Sequence, residues 1–406
     1  MSGPLSHVTV LDLSRIMAGP WATQILADLG ADVIKVERPG VGDDTRGWGP
    51  PFLKDGEGGD TKEAGYFLSV NRGKRSITIN LETPEGRDVI KALAATADIL
   101  VENYKVGTLA RYGLDYATLR QTNPRLIYAS VTGFGQTGPK AKHAAYDFMI
   151  QAMGGLMSVT GERDDRPGGG PQKVGVPIVD LMTGMYACVA VLAALARRER
   201  SGQGDYIDIA MLDVQSAFLA NQAMNYLVSG KIPKRLGNSH PNIQPQDVFE
   251  CSDGYVAVAV GNDEQFVKFC DVISRPDLPP DPRFTKNADR VRNLEPMTNA
   301  IRAALRVQTM DYWVPAFDAA GVPCGKLNTI ETLFKDPQLV ERGMLRQIAH
   351  PTAGTVPQVV SPIRYQTATL AFERPPPLLG QHTREILTEL GFDEPGIAQL
   401  RHQGAI

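Results

Sequence analysis

Asp180 stands where two patterns meet. The extended run Lys173-Val174-Gly175-Val176-Pro177-Ile178-Val179 ends at it, and the apolar stretch Leu181 to Leu195 follows. A stretch apolar on nearly every side predicts a buried helix, with an aspartate at its start as the N-cap. Such an acid has two uses. It caps the helix, or it serves as a carboxylate nucleophile that backbone N–H groups and the positive dipole end keep ionised. The local pattern alone leaves both open.

Other residues of chemical interest are basic. Arg38 follows Val36-Glu37, Arg46 lies in a Gly/Asp-rich segment, and Arg72, Lys74 and Arg75 cluster in Asn71-Arg72-Gly73-Lys74-Arg75. Cations beyond the carboxyl ends of strands in an open α/β sheet suit the phosphates of a ligand, although a solvated basic face has the same composition. The stretch Gly133-Phe134-Gly135-Gln136-Thr137-Gly138 spells a dinucleotide-type glycine motif. It is followed by Pro139-Lys140-Ala141-Lys142-His143 and is not in the first strand-to-helix turn, which argues against nicotinamide binding. No P-loop, Gly-x-Ser-x-Gly or His-Glu-x-x-His pattern is present. Cys188, Cys251, Cys270 and Cys324 are too far apart to suggest a zinc site or a disulfide framework. No metal is expected.

The elements that must position these residues alternate in type. His7 to Leu13 predicts a strand, Gly19 to Leu29 a helix with Pro20 in its first turn, and Ala31 to Val36 a second strand. The pattern returns with a helix over Pro84 to Ala97 and strands at Asp98–Val101 and Arg125–Val131, so the first part is a doubly wound α/β domain. Gly40 to Gly65 and Gly161 to Gly175 are long excursions. The expected division is a large domain over 1–230, a small domain over 235–335, and a linker with a C-terminal return over 336–406. At 406 residues, 43% hydrophobic and 21% charged, with a net charge of -3, the chain reads as an ordinary globular protein. That balance offers no field for nucleic acid or an anionic membrane, so a small anionic ligand would be held by local cations. No targeting segment is read, nor an apolar run of membrane-spanning length without a charge or a helix breaker, and a reducing cytoplasm is the expected location.

Several segments in order resemble the class III CoA-transferases, the formyl-CoA transferase or CaiB–BaiF type. They are Val10-Leu11-Asp12-Leu13 with Ala18-Gly19-Pro20, Leu29 to Gly40, Gly42 to Arg46, Asn71 to Ser76, Val101 to Tyr104, Ser130 to Pro139, and Asp180. Glu37 to Phe52 and Arg374 to Thr383 are similar to the branch that exchanges CoA between succinate and hydroxymethylglutarate. The resemblance implies an interlocked homodimer, each chain having a Rossmann-like large domain and a smaller α/β domain. It implies that Asp180 is the nucleophile, passing through an aspartyl anhydride and an aspartyl-CoA thioester. Coenzyme A, as acyl-CoA substrate rather than bound cofactor, would be contacted by Met17, Ala18, Arg38, Asn80, Leu81, Asn103, Tyr104, Lys105, Arg111 and Tyr146. The donor would be succinyl-CoA and the acceptor a dicarboxylate such as glutarate or hydroxymethylglutarate. Met17 replaces a glutamine of formyl-CoA transferase, and Val260 to Gln265 replaces its glycine-only lid, which points to a larger acyl group. A related racemase would need a histidine where this chain has Tyr146, and tyrosine is a poor base near neutral pH. A non-catalytic acyl-CoA binding protein is the remaining alternative.

Overall fold

A computed structural model describes residues 3–406. Six strands form one parallel sheet: β1 (Thr9–Asp12), β2 (Asp32–Glu37), β3 (Lys74–Thr78), β4 (Ile99–Glu102), β5 (Ile127–Thr132) and β6 (Asp205–Ala210). Their spatial order is β3-β2-β1-β4-β5-β6, and every neighbouring pair is parallel. This is the Rossmann-type doubly wound order. Because both faces are covered, the strands are near-continuous apolar runs such as Val33-Ile34 and Ile99-Leu100-Val101. Helix α1 (Ala18–Asp28) packs on one face, and α2 (Pro84–Thr96), with Val89, Ile90 and Leu93 buried, packs on the other.

Strand β3 and strand β6 were not read from the sequence. The basic pattern that suggested phosphate binding at Arg72 to Arg75 is instead the inside of the fold. Arg72 is buried and forks onto Asp28, while Lys74 is fully buried on Asp12. Arg75 pairs with Asp32, Glu385 and Glu389, and Arg46 with Glu37 and Glu63. Charges taken out of water need such partners. Burial pushes the Lys74 ammonium down to about 8 although Asp12 opposes it.

Two more helices complete the frame of the site, α3 (Asp147–Met153) and α4 (Ile178–Ser201). The 24-residue α4 has a mean hydropathy of 2.0 over its most apolar window, so by length and composition alone it is long and apolar enough to cross a membrane, and its apolar run is broken by Asp180 and Gly184 as the sequence reading had it. Its buried stripe, Thr183, Ala187, Val191 and Leu195, recurs at helical spacing and packs with α1 and the sheet.

The chain divides into two compact units. One runs to Leu156 and includes Val174–Ala223 and Val340–Ile406; the other is Met157–Lys173 with Met224–Leu339. Segment 157–173, placed in the first domain by the sequence, clusters with the second unit because Arg163 and Arg166 pair with Glu295 and Gly161 accepts the Gly237 N–H. The second unit has an antiparallel sheet of β7 (Gln246–Glu250), β8 (Tyr255–Ala259) and β9 (Cys324–Lys326). Its core contains Phe249, Phe266, Phe269, Trp313 and Phe317.

Candidate active site

In an open α/β sheet the ligand crevice lies beyond the carboxyl ends of the strands, where the winding reverses. Here that point is between β1 and β4. The two loops leaving them are stitched together: the Arg15 N–H donates to Asn103 Oδ1 at 2.9 Å, and Asn103 Nδ2 donates back to the Arg15 carbonyl at 2.7 Å. Glu102, at the end of β4, accepts the Tyr104 N–H at 2.7 Å and the Ser130 hydroxyl. A cavity of about 190 Å³ opens here, and among its lining residues are Met17, Ala18, Asn103, Tyr104, Lys105, Tyr146 and Asp180.

Asp180 is not the N-cap. Helix α4 opens at Ile178 with Pro177 as its cap, which puts Asp180 inside the first turn. The capping is done from elsewhere in the chain: Asp147 Oδ2 accepts the Val179 N–H at 2.7 Å and the Asp180 N–H at 3.2 Å. Gln151 holds Asp147 through its other oxygen and accepts the Val174 N–H. With the helix donors taken, the half-buried Asp180 carboxylate has no hydrogen bond or ion pair among the described residues. Burial, and then the charge of Asp147, push it up to about 7. The expectation that the helix start keeps this acid ionised is thus reversed, since the N–H groups that would favour the charge serve Asp147. Tyr66, pushed up to about 12 by burial and then by the Asp180 and Asp147 charges, lies in the field of both acids. Trp48 meets its ring edge-on at 5.0 Å.

Helix α1 points its first turn into the same cavity. Its N-cap, Met17, makes no side-chain capping bond, and the Ala18 and Gly19 N–H groups have no partner among the described residues. Two glycines make the geometry possible. A Cβ on Gly184 of α4 would stand 2.5 Å from the Ala18 carbonyl oxygen, so only glycine lets α4 approach this end of α1. A Cβ on Gly19 would overlap Ser14. Just before the helix, Ile16 has φ +73°, a left-handed conformation that is strained for a β-branched residue and costs roughly 1–3 kcal/mol.

A second cavity, of about 330 Å³, adjoins the first through the shared residues Arg15 and Tyr104, and is lined further by Arg38, Asn80, Leu81 and Tyr112. The two make a trough. Asp44 holds both guanidiniums at its edge, accepting from Arg15 and from Arg38 at 2.9 Å each. Arg15 was not singled out from the sequence, yet it stands at the junction with a buried Nε that has no partner among the described residues. Arg111 ends the short helix Thr108–Arg111, is exposed, and lines neither cavity. The Gly133–Gly138 loop does not open a helix; the next one begins at Asp147, so the pyrophosphate geometry of a dinucleotide site is missing. Its Gly133 lines the first cavity instead. Apolar slot, cations and isolated acid together suit a long anionic ester whose reactive end meets a carboxylate.

Residues 5–383 match the sequence profile of CoA-transferase family III, and the chain belongs to that family. It is 47% identical to a succinate–glutarate CoA-transferase of Agrobacterium fabrum, over 95% of this chain and 96% of the relative. It is 42% identical to the succinyl-CoA:glutarate CoA-transferase of Mus musculus, over 99% of this chain and 90% of the relative. The crystal structure of a CAIB/BAIF family protein from Brucella suis matches with a TM-score of 0.85 at 47% identity, covering 96% of this chain and all of that one. The protein is a CoA-transferase, and CoA thioesters are its substrates.

Proposed function

We propose that this enzyme moves CoA from succinyl-CoA to a short dicarboxylate such as glutarate or hydroxymethylglutarate, with Asp180 as covalent nucleophile. The observation that carries the reading is the unpaired Asp180 carboxylate at the end of the trough, beside the free N–H groups of α1. The substrate names of the two transferases above support the acid class.

The chemistry balances without a proton donor. An Asp180 oxygen attacks the thioester carbon, the C–S bond breaks, and CoA leaves as thiolate, giving a mixed anhydride. The thiolate attacks the Asp180 carbonyl carbon, the C–O bond breaks, and succinate leaves, giving an aspartyl-CoA thioester. The acceptor carboxylate attacks that thioester and expels the thiolate; attack of the thiolate on the acceptor acyl carbon then frees Asp180. Splitting one poor exchange into acyl transfers is what a covalent carboxylate contributes. The Ala18 and Gly19 N–H groups are the donors suited to each developing oxyanion. Arg15, Arg38 and Lys105 supply positive charge along the trough for the phosphates. A second copy of the chain belongs to the proposal as an interlocked homodimer, supported by the exposed apolar side chains Met185, Tyr186 and Val189 on α4.

Incubation with succinyl-CoA and a panel of carboxylic acids, followed by separation of the thioesters, tests the reading. A new thioester should form with short dicarboxylates and be absent with Asp180→Ala. Normal turnover of that variant would refute the nucleophile, and no exchange with any dicarboxylate would refute the substrate class.

A further inference from the structure

Two features outside the reacting groups meet at one peptide. The first is the left-handed Ile16, which lines the cavity directly before the N-terminus of α1. The second is a set of buried charges for which the covalent chemistry has no use: Asp12, Lys35, Asp43 and Lys74 are each 2% exposed or less. Asp43 accepts the Ile16 N–H, at 3.3 Å on Oδ1 and 3.2 Å on Oδ2. It also accepts the Thr45 N–H at 3.0 Å, the Thr45 hydroxyl at 2.8 Å and Lys35 Nζ at 2.9 Å. Lys35 Nζ in turn donates to the Ser14 carbonyl at 3.1 Å. On the other side, Asp12 accepts the Ser14 N–H and hydroxyl, the Thr23 hydroxyl, and Lys74 Nζ at 3.0 Å. The backbone of Ser14 and Ile16 is therefore tied from beneath by side chains that do not line the first cavity, Asp43 bordering only the second.

We infer that Asp43, locked by Lys35, is a positioning residue that holds Ile16 in its left-handed conformation and so aims the Ala18 and Gly19 N–H groups at the carbonyl attacked by Asp180. This rests on the Asp180 reading above. A β-branched residue leaves the left-handed region unless its surroundings hold it there. The carboxylate that accepts its N–H is the direct hold. The ammonium fixes that carboxylate, and by also binding the Ser14 carbonyl it fixes the start of the same turn. Released, Ile16 would turn to negative φ, and the first turn of α1 would rotate with it. The α1 donors act on an oxyanion that exists only during reaction, so the expected loss is in kcat and not in affinity for the thioester.

The test is a coupling between Asp43 and the conformational preference of residue 16, read from succinyl-CoA exchange with the acid panel. Asp43→Asn places an amide donor against Lys35 and should lower kcat by roughly ten- to a hundredfold, with KM for succinyl-CoA changed less than about threefold. Glycine has no tendency to leave positive φ. In an Ile16→Gly background the same Asp43→Asn change should therefore cost kcat less than about a third as much as it does beside isoleucine. A carboxylate needed only for stability would cost as much or more in the looser glycine background, and that result overturns the inference. So does an undiminished kcat. Should Asp43→Asn not fold, Lys35→Met/Asp43→Leu removes both buried charges together and leaves no unpaired ion. It should fold and show the same kcat loss and the same relief by Ile16→Gly; full kcat in the folded double variant overturns the inference equally. Asp180→Asn is run beside them. If it retains exchange, the nucleophile reading falls and this inference with it. If exchange depends on Asp180 while the coupling is absent, only the positioning role falls.

Discussion

The Asp180 carboxyl, pushed up to about 7 by burial and then by the Asp147 charge, attacks only when deprotonated. In the proposed mechanism kcat/KM should rise roughly tenfold per pH unit on the acid side and level off above about 7. Asp147→Asn keeps an acceptor for the α4 N–H groups but removes the neighbouring charge, so its profile should shift to lower pH; an unshifted profile would contradict the Asp147 contribution. The same raised pKa has a consequence for stability. The native state keeps a proton that the unfolded chain releases above about 3.8, so this group's stabilising contribution is full below that pH and is lost as pH rises toward about 7. Asp180→Asn, free of the buried charge, should therefore be more stable than the wild type at pH 8, by roughly 1–3 kcal/mol, and show little advantage near pH 4. Thermal melts at the two pH values check this. Asp180 was legible in the sequence as an acid at the start of an apolar helix. Asp147 as its cap was not, because capping from a distant turn leaves no spacing to read. Arg15 was missed for a similar reason: its place between the cavities follows from the Asn103 stitch, a contact between two loops far apart in the chain.

At the scale of elements, the crossing of α4 over α1 sets where Asp180 stands relative to the Ala18 and Gly19 donors. Gly184→Val would put carbon against the Ala18 carbonyl and the Trp21 ring, forcing the helices apart. The expected result is a stability loss of about 1–3 kcal/mol in chemical denaturation, with kcat reduced roughly a hundredfold. A variant with native kcat would contradict the close approach as a requirement. Strands with clean apolar runs, β1, β2, β4 and β5, were legible within a residue or two, as were α1 and α2. Strand β3 was not, because its Lys74-Arg75-Ser76 start looks like a solvated basic turn until Asp12 and Asp32 are seen beside it. Strand β6, Asp205-Tyr206-Ile207-Asp208-Ile209-Ala210, sits at the sheet edge with Tyr206 and Asp208 exposed, and so lacks the continuous apolar run that marked the central strands.

For the molecule as a whole, the outer face of α4 leaves Met185, Tyr186 and Val189 at 43%, 44% and 61% exposure. An apolar face beside an active site calls for a cover, and the proposed homodimer supplies one. Light scattering should give twice the chain mass for the wild type. Val189→Glu should shift it toward the single chain and lower exchange, and an unchanged dimer would remove this face from the interface. The alternation of strand and helix and the family were within reach of the sequence, since both are carried by local pattern and motif order; the Rossmann-type order was implied by the resemblance alone, because two of its strands, β3 and β6, left no clear local signal. The division into units was read less well, since segment 157–173 joins its unit through side-chain pairs that no composition shift announces. Passage of the acyl group and CoA through Asp180 can be seen by quenching the enzyme during turnover with succinyl-CoA and identifying the modified peptide by mass spectrometry. A CoA adduct should form on Asp180 and disappear when a dicarboxylate acceptor is added in excess; turnover with Asp180 unmodified at every time point would refute the covalent route.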